Sequence, residues 1–328
     1  MSASKSPRYA CVLIDEAFKL TICNPEQELL LRKIIELLIP GKKIRELHFA
    51  DKEQHGLVIS DKNTIFDLYC TEEGTGEQFI VEVQVAPQES YRERMLSYAT
   101  YPIHKQLATK LQKIRDGEDI QRMDYSLKPV YVVSIVNFSL PHEDDRALED
   151  GLVSRYEIRN GHNGELMTDA LGFVFLELGR LRWKLDEADK CESLLEQFAH
   201  AMKYMHLQDE RPQGFRDPLL NMLYQAAEMA RMTIEERTKI DMLMTTQLDI
   251  NGYINYAEKK GREEGFAEGR AEGHAEGRKE GRTEGRKEGR EEERRAVAQQ
   301  LLALGIPVET IVKATGLSPE EIRSLKKA

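Results

Sequence analysis

The sequence predicts an α/β protein built around a mixed sheet, followed by a largely helical region. Three observations favour this class. Residues 64–86 contain two strand-like runs joined by a short glycine-containing turn, residues 88–116 have helical periodicity, and residues 129–136 form a nearly unbroken apolar run. A continuous apolar run of this length is typical of a strand buried on both faces, which helices usually cover.

The first predicted helix occupies residues 25–38. Asn24 is a suitable N-cap, Pro25 suits the first helical position, and Pro40-Gly41 ends the helix. The apolar residues that recur at helical spacing are Leu29, Leu30, Ile34, Leu37 and Leu38. Residues 44–50 then form a predicted strand, which leads into a polar turn region around Gly56.

The central element is the hairpin of TIFDLYC and FIVEVQVA. If its turn is centred on Gly74 and Thr75, Cys70 pairs with Phe79 and Asp67 lies directly across from Glu82. Opposed residues of an antiparallel pair have Cβ atoms roughly 5 Å apart. The pairing therefore predicts two neighbouring carboxylates.

Two carboxylates at this separation repel each other unless positive charge lies between them. Mg²⁺ takes oxygen ligands from one or two carboxylates and fits this arrangement. A solvated hairpin face that happens to carry acids gives the same spacing. Gln84, which shares the face of Glu82, favours a site.

The elements after the hairpin complete the sheet. A helix is predicted over residues 88–116, with Pro102 marking a kink or a boundary. Its apolar face comprises Tyr91, Met95, Tyr98, Ile103, Leu107, Leu111 and Ile114. Strands follow at 129–136, 153–158 and 172–178, and Glu177, near the end of the last one, is interpreted as structural.

Helical periodicity dominates from Cys191 onward. The repeating apolar positions are Leu194, Leu195, Phe198, Met202, Met205, Leu219, Met222, Leu223, Ala226 and Met229. We interpret these methionines and Trp183 as core residues.

An Asp at the end of one strand and Glu-x-Gln on the next resemble the PD-(D/E)XK nuclease superfamily, with Gln84 where a lysine more often occurs. The wider pattern resembles the recombination-promoting nuclease and putative transposase family. The resemblance covers roughly the first 180 residues. The residues that carry it are Asp15 with Phe18-Lys19, Asp67, VEVQ around Glu82 and Gln84, Arg94 and Tyr98, PVYVVSIVNF, and FLEL at Glu177-Leu178.

The resemblance implies a restriction-endonuclease-like αβββαβ core and a metal-dependent DNA endonuclease that promotes recombination in a mobile-element or defence setting. It implies that Asp67, Glu82 and the backbone carbonyl of Val83 bind Mg²⁺ or Mn²⁺. Gln84 orients the attacking water but cannot take its proton. The proton then goes to a metal-bound group, a phosphate oxygen or Lys19, and a slow or lost activity stays open.

Further site residues follow from the same resemblance. Asp15 is expected near the metal and Lys19 near a phosphate. Without the resemblance, an ordinary surface ion pair is the favoured explanation of their spacing. Arg94 is expected to contact the scissile phosphate, or instead to pair with a surface acid such as Glu93. Arg92 and Tyr98 complete the expected DNA-binding set. The alternative function is a weakly active or inactive nuclease fold that binds DNA or protein partners.

The composition argues against several classes of protein. With 328 residues the chain is long enough for two domains, and its net charge of −10 argues against nonspecific coating of nucleic acid, although a locally basic cleft is compatible with it. The four cysteines have no zinc-like spacing and are expected to be reduced. No targeting or membrane-spanning segment is evident, so a cytoplasmic protein without a membrane partner is expected.

Residues 261–289 are a low-complexity repeat with glycine at every fourth position. Each glycine costs a helix about 1 kcal/mol relative to alanine, and like-charged rows of Arg and Glu add repulsion. Two interpretations stay open. The segment at 258–292 is either a helix that pairs with a second copy of the chain, which makes a homo-oligomer, or a flexible linker.

Three short helices are predicted at the C-terminal end, over 293–304, 307–315 and 318–326, with Gly305 and Gly316 as stops. Helix-turn-helix spacing is evident, but the last helix opens with Glu320 and Glu321, which favours a small interaction module over a base-reading one.

The predicted domains are therefore a nuclease-like domain at 1–185, a helical extension at 186–257, the repeat at 258–292 and the C-terminal module at 293–328.

Overall fold

The computed structural model describes residues 7–49, 66–116, 125–142 and 151–325. The chain forms two compact units, residues 1–247 and 248–328, and the boundary falls inside one long helix. The predicted turn region around Gly56 and the first residues of the predicted strand at 64–70 lie outside the described residues.

The first unit contains a six-stranded sheet in the order β1-β2-β3-β4-β6-β5. Its strands are β1 (Leu47–Phe49), β2 (Leu68–Glu72), β3 (Gln78–Gln84), β4 (Val130–Val136), β5 (Val153–Arg159) and β6 (Leu166–Glu177). The β3–β4 and β4–β6 pairs are parallel, and the other neighbours are antiparallel. A mixed sheet covered by helices confirms the predicted α/β class.

The helices surround this sheet in sequence order. They are α1 (Asp15–Thr21), α2 (Glu28–Leu38), α3 (Tyr91–Arg115), α4 (Leu194–Tyr204) and α5 (Pro218–Ala226), followed by the long α6 (Ile234–Ala303). A short 3₁₀ turn at Pro25–Gln27 leads directly into α2, and the Asn24 side chain accepts a hydrogen bond from the Glu26 N–H at 3.0 Å, as its predicted capping role requires.

Three sequence-based details differ from the structure. The helical spacing predicts Leu29 on the buried face of α2, but its side chain is 49% exposed; Leu31 and Ile35 are buried instead. Leu111, predicted on the apolar face of α3, is also exposed. Third, the sequence predicts a kink or a boundary at Pro102, whereas α3 continues through this residue as one helix from Tyr91 to Arg115.

The hairpin turn between β2 and β3 is closed by a buried acid. The Glu72 carboxylate accepts hydrogen bonds from the Thr75 backbone N–H at 2.5 Å and the Thr75 hydroxyl at 2.7 Å, and Gly76 adopts a positive φ of 75°. The Glu72 N–H donates to the Glu77 carbonyl at 2.8 Å, which centres the turn on Gly74 and Thr75. Cys70 consequently pairs with Phe79, as predicted.

The two faces of the sheet have separate cores. On β3, Phe79, Val81 and Val83 pack in the cluster that contains residues of α2, α4 and α5, whereas Ile80 packs in the cluster beneath Tyr91 of α3. Glu82 therefore shares the α3 side of the sheet with Ile80.

A second buried acid, Glu177, holds together the segments around the end of β6. The Glu177 carboxylate at the end of β6 accepts hydrogen bonds from the Leu140 N–H at 2.7 Å and the Ser154 hydroxyl at 3.1 Å. It also pairs with Arg180 at 2.8 Å and contacts His142 Nε2 at 2.6 Å. These contacts support the structural interpretation of Glu177, because one carboxylate joins β5, β6 and the segment after β4.

The second unit contains the C-terminal part of α6, α7 (Val308–Thr315) and α8 (Pro319–Leu325). Gly305 and Gly316 have φ values of 74° and 71° and end their helices as predicted. Ser318 and Glu321 form a capping box. The Ser318 N–H donates to the Glu321 carboxylate at 2.8 Å, and the Glu321 N–H donates to the Ser318 hydroxyl at 3.2 Å.

The repeat at 261–289 lies within α6 and is helical in the structure. A Cβ atom placed on any of its eight glycines meets no atom within 4 Å other than those of the adjoining helix backbone, so the glycines face open space in the described chain. In the part of the chain that the structure describes, no helix has the length and apolar character needed to cross a membrane.

Glu177→Ala should lower the free energy of unfolding by about 3 kcal/mol, because it leaves Arg180 and two buried donors without their shared partner. Urea denaturation followed by circular dichroism measures this difference. Glu157→Ala is the matched control, since the Glu157 side chain is 46% exposed and pairs with Arg159 at the surface. A change in the control as large as that of Glu177→Ala would contradict the structural role.

Candidate active site

The two acids of the predicted hairpin meet at one end of the sheet. Asp67 immediately precedes β2, and Leu68 pairs with Val81, so Asp67 comes opposite Glu82. The Asp67 N–H donates to Glu82 Oε1 at 3.0 Å, and the Val83 N–H donates to Asp67 Oδ2 at 2.9 Å. Each carboxylate is thus held by a backbone donor from the other strand.

The N–H and C=O groups of Val83 point toward the side of β3 on which Asp67 lies. The Gln84 carbonyl accepts a hydrogen bond from the Asn137 N–H at 2.9 Å, which directs Gln84 toward β4. Successive residues along a strand direct their peptide groups to opposite sides, and the N–H and C=O of one residue point the same way. The Val83 carbonyl is therefore directed to the side on which Asp67 lies.

Burial makes this pair of acids electrostatically costly. Glu82 is only 4% exposed, and the Asp67 side chain is 15% exposed. Burial raises the pKa of both carboxyls above their usual values, and the neighbouring acid raises the pKa of Glu82 further. For Asp67, the nearby Asp15 also acts to raise the pKa.

Lys19 of α1 supplies positive charge to this group. Its Nζ atom lies 2.5 Å from Asp15 Oδ1 and 3.7 Å from Asp67 Oδ1. Burial alone would lower the pKa of Lys19, but the hydrogen bond and charge of Asp15, together with Asp67, outweigh it and raise the pKa. The raised pKa favours the protonated, cationic form of Lys19.

Gln84 and Arg94 form the second half of the group. Arg94 Nη2 donates to Gln84 Oε1 at 3.0 Å, Arg94 also bonds to the Gln88 side chain, and the Gln84 amide nitrogen donates to the Ala86 carbonyl at 3.2 Å. These hydrogen bonds join Arg94 to amide oxygens rather than to Glu93.

Aromatic rings support the Arg94 guanidinium. It lies 5.1 Å from the ring centre of Tyr91 and 5.5 Å from that of Tyr98, which also packs edge-on against Phe66 at 5.3 Å. Tyr98 therefore reaches the site through Arg94.

Arg92 has different neighbours. Its Nη2 donates to the Pro141 carbonyl at 2.6 Å, and its guanidinium lies 5.3 Å from the ring centre of Tyr156 on β5. These contacts hold the start of α3 to the segment that Glu177 anchors. The structure therefore brings together Asp15, Lys19, Asp67, Glu82, Gln84, Arg94 and Tyr98, and gives Arg92 a separate set of contacts.

Two nearby residues were not singled out from the sequence as site residues. The Tyr91 hydroxyl lies 2.5 Å from the Ser134 hydroxyl of β4. The Cys23 thiol is buried, and burial followed by the charge of Asp67 raises its pKa well above the usual value. The helical spacing of Tyr91 indicated packing alone, and no sequence pattern relates Cys23 to the hairpin.

Residues 12–257 match the model of a family described as PD-(D/E)XK nuclease family transposase. The chain belongs to this family. A second match covers residues 291–327 and is to the C-terminal HTH domain of the Rpn/YhgA-like nuclease family. No curated protein and no solved structure matched the chain. The family assignment confirms the resemblance to the nuclease and putative transposase family.

The second match bears on the C-terminal module of this nuclease-family chain. On the sequence we favoured an interaction module because Glu320 and Glu321 open the last helix. A helix-turn-helix domain is instead a class that binds DNA. The match therefore favours DNA binding for this module.

The donor set fits a hard divalent ion. Among the described residues, no group of three or more His, Cys, Asp or Glu side chains is arranged to hold a metal. Mg²⁺ needs fewer protein ligands, because it keeps waters and substrate phosphates as partners. The Asp67 and Glu82 carboxylates, which are buried and have raised pKa values, and the Val83 carbonyl directed toward Asp67 are compatible with this type of coordination.

The raised pKa of Glu82 predicts a specific pH dependence of stability. Below the pKa of about 4.3 that a glutamate has in the unfolded chain, Glu82 is protonated in both the folded and the unfolded protein. As the pH rises from there toward the higher pKa of the folded protein, Glu82 loses its proton in the unfolded chain but keeps it in the folded one. Native stability is therefore lost over this window. In the presence of chelator, Glu82→Gln should become progressively more stable than the wild type between about pH 5 and pH 8.

Thermal and urea denaturation across this range measure the difference. Glu93→Gln replaces an exposed acid at the start of α3 and should follow the wild type. A Glu82→Gln protein that loses stability relative to the wild type as pH rises would contradict the electrostatic assignment.

Proposed function

We propose that this protein is a metal-dependent DNA endonuclease that hydrolyses phosphodiester bonds. The observation that carries the proposal is the contact between Asp67 and Glu82, two buried acids from neighbouring strands. The Glu82 carboxylate accepts a hydrogen bond from the Asp67 N–H, and the Asp67 carboxylate accepts one from the Val83 N–H. Family membership supports a nuclease. The order of elements, helices before β1–β3 and then α3 and β4, supports the restriction-endonuclease-like αβββαβ core.

Asp67, Glu82 and the Val83 carbonyl would hold Mg²⁺ or Mn²⁺. Such an ion supplies a Lewis acid that polarises the phosphate and lowers the pKa of a bound water. The chain's own contribution is to fix the two carboxylates before any ion or substrate arrives, through the backbone N–H groups of Asp67 and Val83.

Gln84 positions water and does not deprotonate it. Its amide is fixed by Arg94 on the oxygen and by the Ala86 carbonyl on the nitrogen side. An amide has no proton-accepting function at neutral pH. The attacking water therefore loses its proton to a phosphate oxygen or to solvent.

Lys19 and Arg94 supply the positive charge that a phosphodiester requires. The Arg94 guanidinium presents a planar set of donors suited to phosphate oxygens, and Tyr91 and Tyr98 support its face. Lys19 stays protonated and stabilises negative charge near Asp67. Asp15 holds Lys19 in place through its ion pair.

The biological setting is also a proposal. A nuclease with a DNA-binding helix-turn-helix domain is suited to a role in recombination or in a mobile-element or defence context, acting in the cytoplasm on DNA. Assembly through the repeat at 258–292 is the proposed source of a homo-oligomer.

A second candidate function rests on Gln84 and Lys19. Neither side chain is a proton acceptor at neutral pH, so a protein that binds DNA with slow or no cleavage is the alternative. It retains the fold and the DNA contacts but not the turnover.

Asp67→Asn and Glu82→Gln should each reduce cleavage of supercoiled plasmid in Mg²⁺ or Mn²⁺ by at least about a thousandfold. Both changes keep the hydrogen-bonding shape and remove one ligand charge, so the melting curve should keep its cooperative transition. Glu93→Gln is the control and should cleave normally. Cleavage that survives either substitution, or that persists in chelator, would place the reaction elsewhere.

Lys19→Gln should lower kcat/KM by about a hundredfold, because a cation beside the reacting phosphate is lost. Lys19→Arg should restore much of the activity and leave the pH profile unchanged. If Lys19 were the base, arginine would fail to rescue and the alkaline limb of the profile would move. Steady-state kinetics over a pH series separates the two roles.

A further inference from the structure

One face of α3 carries cations and aromatic rings in a row that begins at the candidate active site. Arg94, Tyr98, Tyr101 and Lys105 follow one another by three or four residues along this helix. At about 100° per residue they stay within about 60° of one another around the helix, and they cover about 16 Å of its length. We call these four residues the α3 row.

The α3 row lies at the border between the buried and the exposed side of the helix. Tyr98 and Tyr101 are both half-buried. The residues that α3 buries lie about 90° away around the helix and are Tyr91, Met95, Ala99 and Pro102. The core beneath α3 is therefore filled by other residues, and the two tyrosine rings keep part of their surface in contact with solvent.

Phe66 joins these rings to the acid pair. Phe66 directly precedes Asp67 in the chain and is also half-buried. Its ring centre lies 5.3 Å from that of Tyr98 and 5.6 Å from that of Tyr101. The rings of Phe66, Tyr98 and Tyr101 therefore form one group, the ring cluster, which begins beside the backbone of Asp67.

A cation lies at each end of the ring cluster. The Arg94 guanidinium is 5.5 Å from the ring centre of Tyr98. At the other end, Lys105 Nζ is 5.7 Å from the ring centre of Tyr69, which is buried and lies 6.4 Å from the Tyr101 ring. The sequence from residue 94 to residue 115 contains five Lys and Arg residues and no Asp or Glu, so this part of an acidic chain is locally positive.

Rings placed between cations match the chemistry of an unpaired nucleic-acid strand. In sites that bind single strands, cations contact the phosphates while aromatic side chains stack on successive bases. The bases of an intact duplex are stacked on each other, so their faces are not available to a side chain. A duplex could use the two cations but not the rings, whereas an unpaired strand could use both.

We propose that the ring cluster stacks on unpaired bases of the DNA strand and that Arg94 and Lys105 contact the phosphates of the same strand. The preferred substrate is then DNA with a short unpaired segment next to the phosphodiester that is cleaved, rather than intact duplex. This inference rests on the proposed function, because it places the unpaired segment beside Asp67 and Glu82.

The test compares three labelled DNA molecules of equal length, about 30 base pairs. The first is an intact duplex. The second has a central gap of about six nucleotides in one strand, and the third has the same gap opposite abasic nucleotides, which keep the phosphates and lack the bases. Fluorescence anisotropy in chelator gives the affinity of the full chain for each without cleavage. The helix-turn-helix domain meets the same flanking duplex in the two gapped molecules, so its contribution cancels in their ratio.

The wild type should bind the gapped DNA at least about fivefold more tightly than the abasic one for each base that stacks. Tyr101→Leu keeps an apolar side chain but removes a ring, so it should lose about fivefold or more on the gapped DNA and keep its affinity for the abasic DNA. Tyr204→Leu is the matched control, because Tyr204 is a half-buried tyrosine of α4 that packs on the other face of the sheet. It should bind all three molecules as the wild type does.

Lys105→Gln tests the phosphate contact independently of the rings. It should lower the slope of log K against log salt by about 0.7 on the gapped and the abasic DNA alike, because both keep their phosphates. A wild-type slope for this variant would contradict the contact. A Tyr101→Leu protein with the wild-type preference for gapped over abasic DNA would show that the rings only pack, and an equal loss on all three molecules would show that the change damages the fold or a duplex contact. Either result would overturn the inference.

Cleavage of supercoiled plasmid in Mg²⁺ separates this inference from the proposed catalysis. A wild type that cleaves but binds gapped and abasic DNA equally would overturn the stacking inference alone. A wild type that prefers gapped DNA without cleaving any substrate would overturn the proposed catalysis and support the ring cluster as a binding site for unpaired bases.

Discussion

The burial of Asp67 beside Glu82 is the constraint on which the rest of the site depends. Neither acid is free to move away, because the β2–β3 register sets their Cα positions and each carboxylate is bonded to a backbone N–H of the opposite strand. Burial raises the pKa of both groups, so the ion-free protein carries an electrostatic cost in its fold. A site that stores such a cost is prepared to bind a cation.

The surrounding elements fit this need. Lys19 approaches from α1 and Arg94 from α3, so positive charge reaches the acids from two separate helices. Neither cation lies between the two carboxylates in a bidentate pair that would neutralise them. The resulting environment is negative at the centre and positive at its margin, which suits a metal ion at the acids and a phosphodiester at Lys19 and Arg94.

The sequence was sufficient to predict the parts of the site that depend on local geometry. A symmetric turn at Gly74 and Thr75 determines every pair along the hairpin, so the Cys70–Phe79 pair and the facing acids followed from counting residues. Cap residues such as Asn24 and Ser318 were equally predictable, because their hydrogen bonds reach only two or three residues along the chain.

Contacts between segments far apart in the chain could not be predicted from the sequence. The four partners of Glu177, the orientation of Arg92 toward Tyr156 and the proximity of Cys23 to Asp67 all depend on how separate elements pack. The repeat within α6 is an intermediate case. Its four-residue period is visible in the sequence, but the helix-destabilising glycines left open whether a helix forms at all, and the structure has one there.

Binding of Mn²⁺, followed by isothermal titration calorimetry without DNA, tests the central claim most directly. The account predicts that the wild type binds Mn²⁺ at the site and that Asp67→Asn and Glu82→Gln each remove this binding while the folded state is kept. Binding that either single variant retains unchanged would show that the two acids do not share an ion.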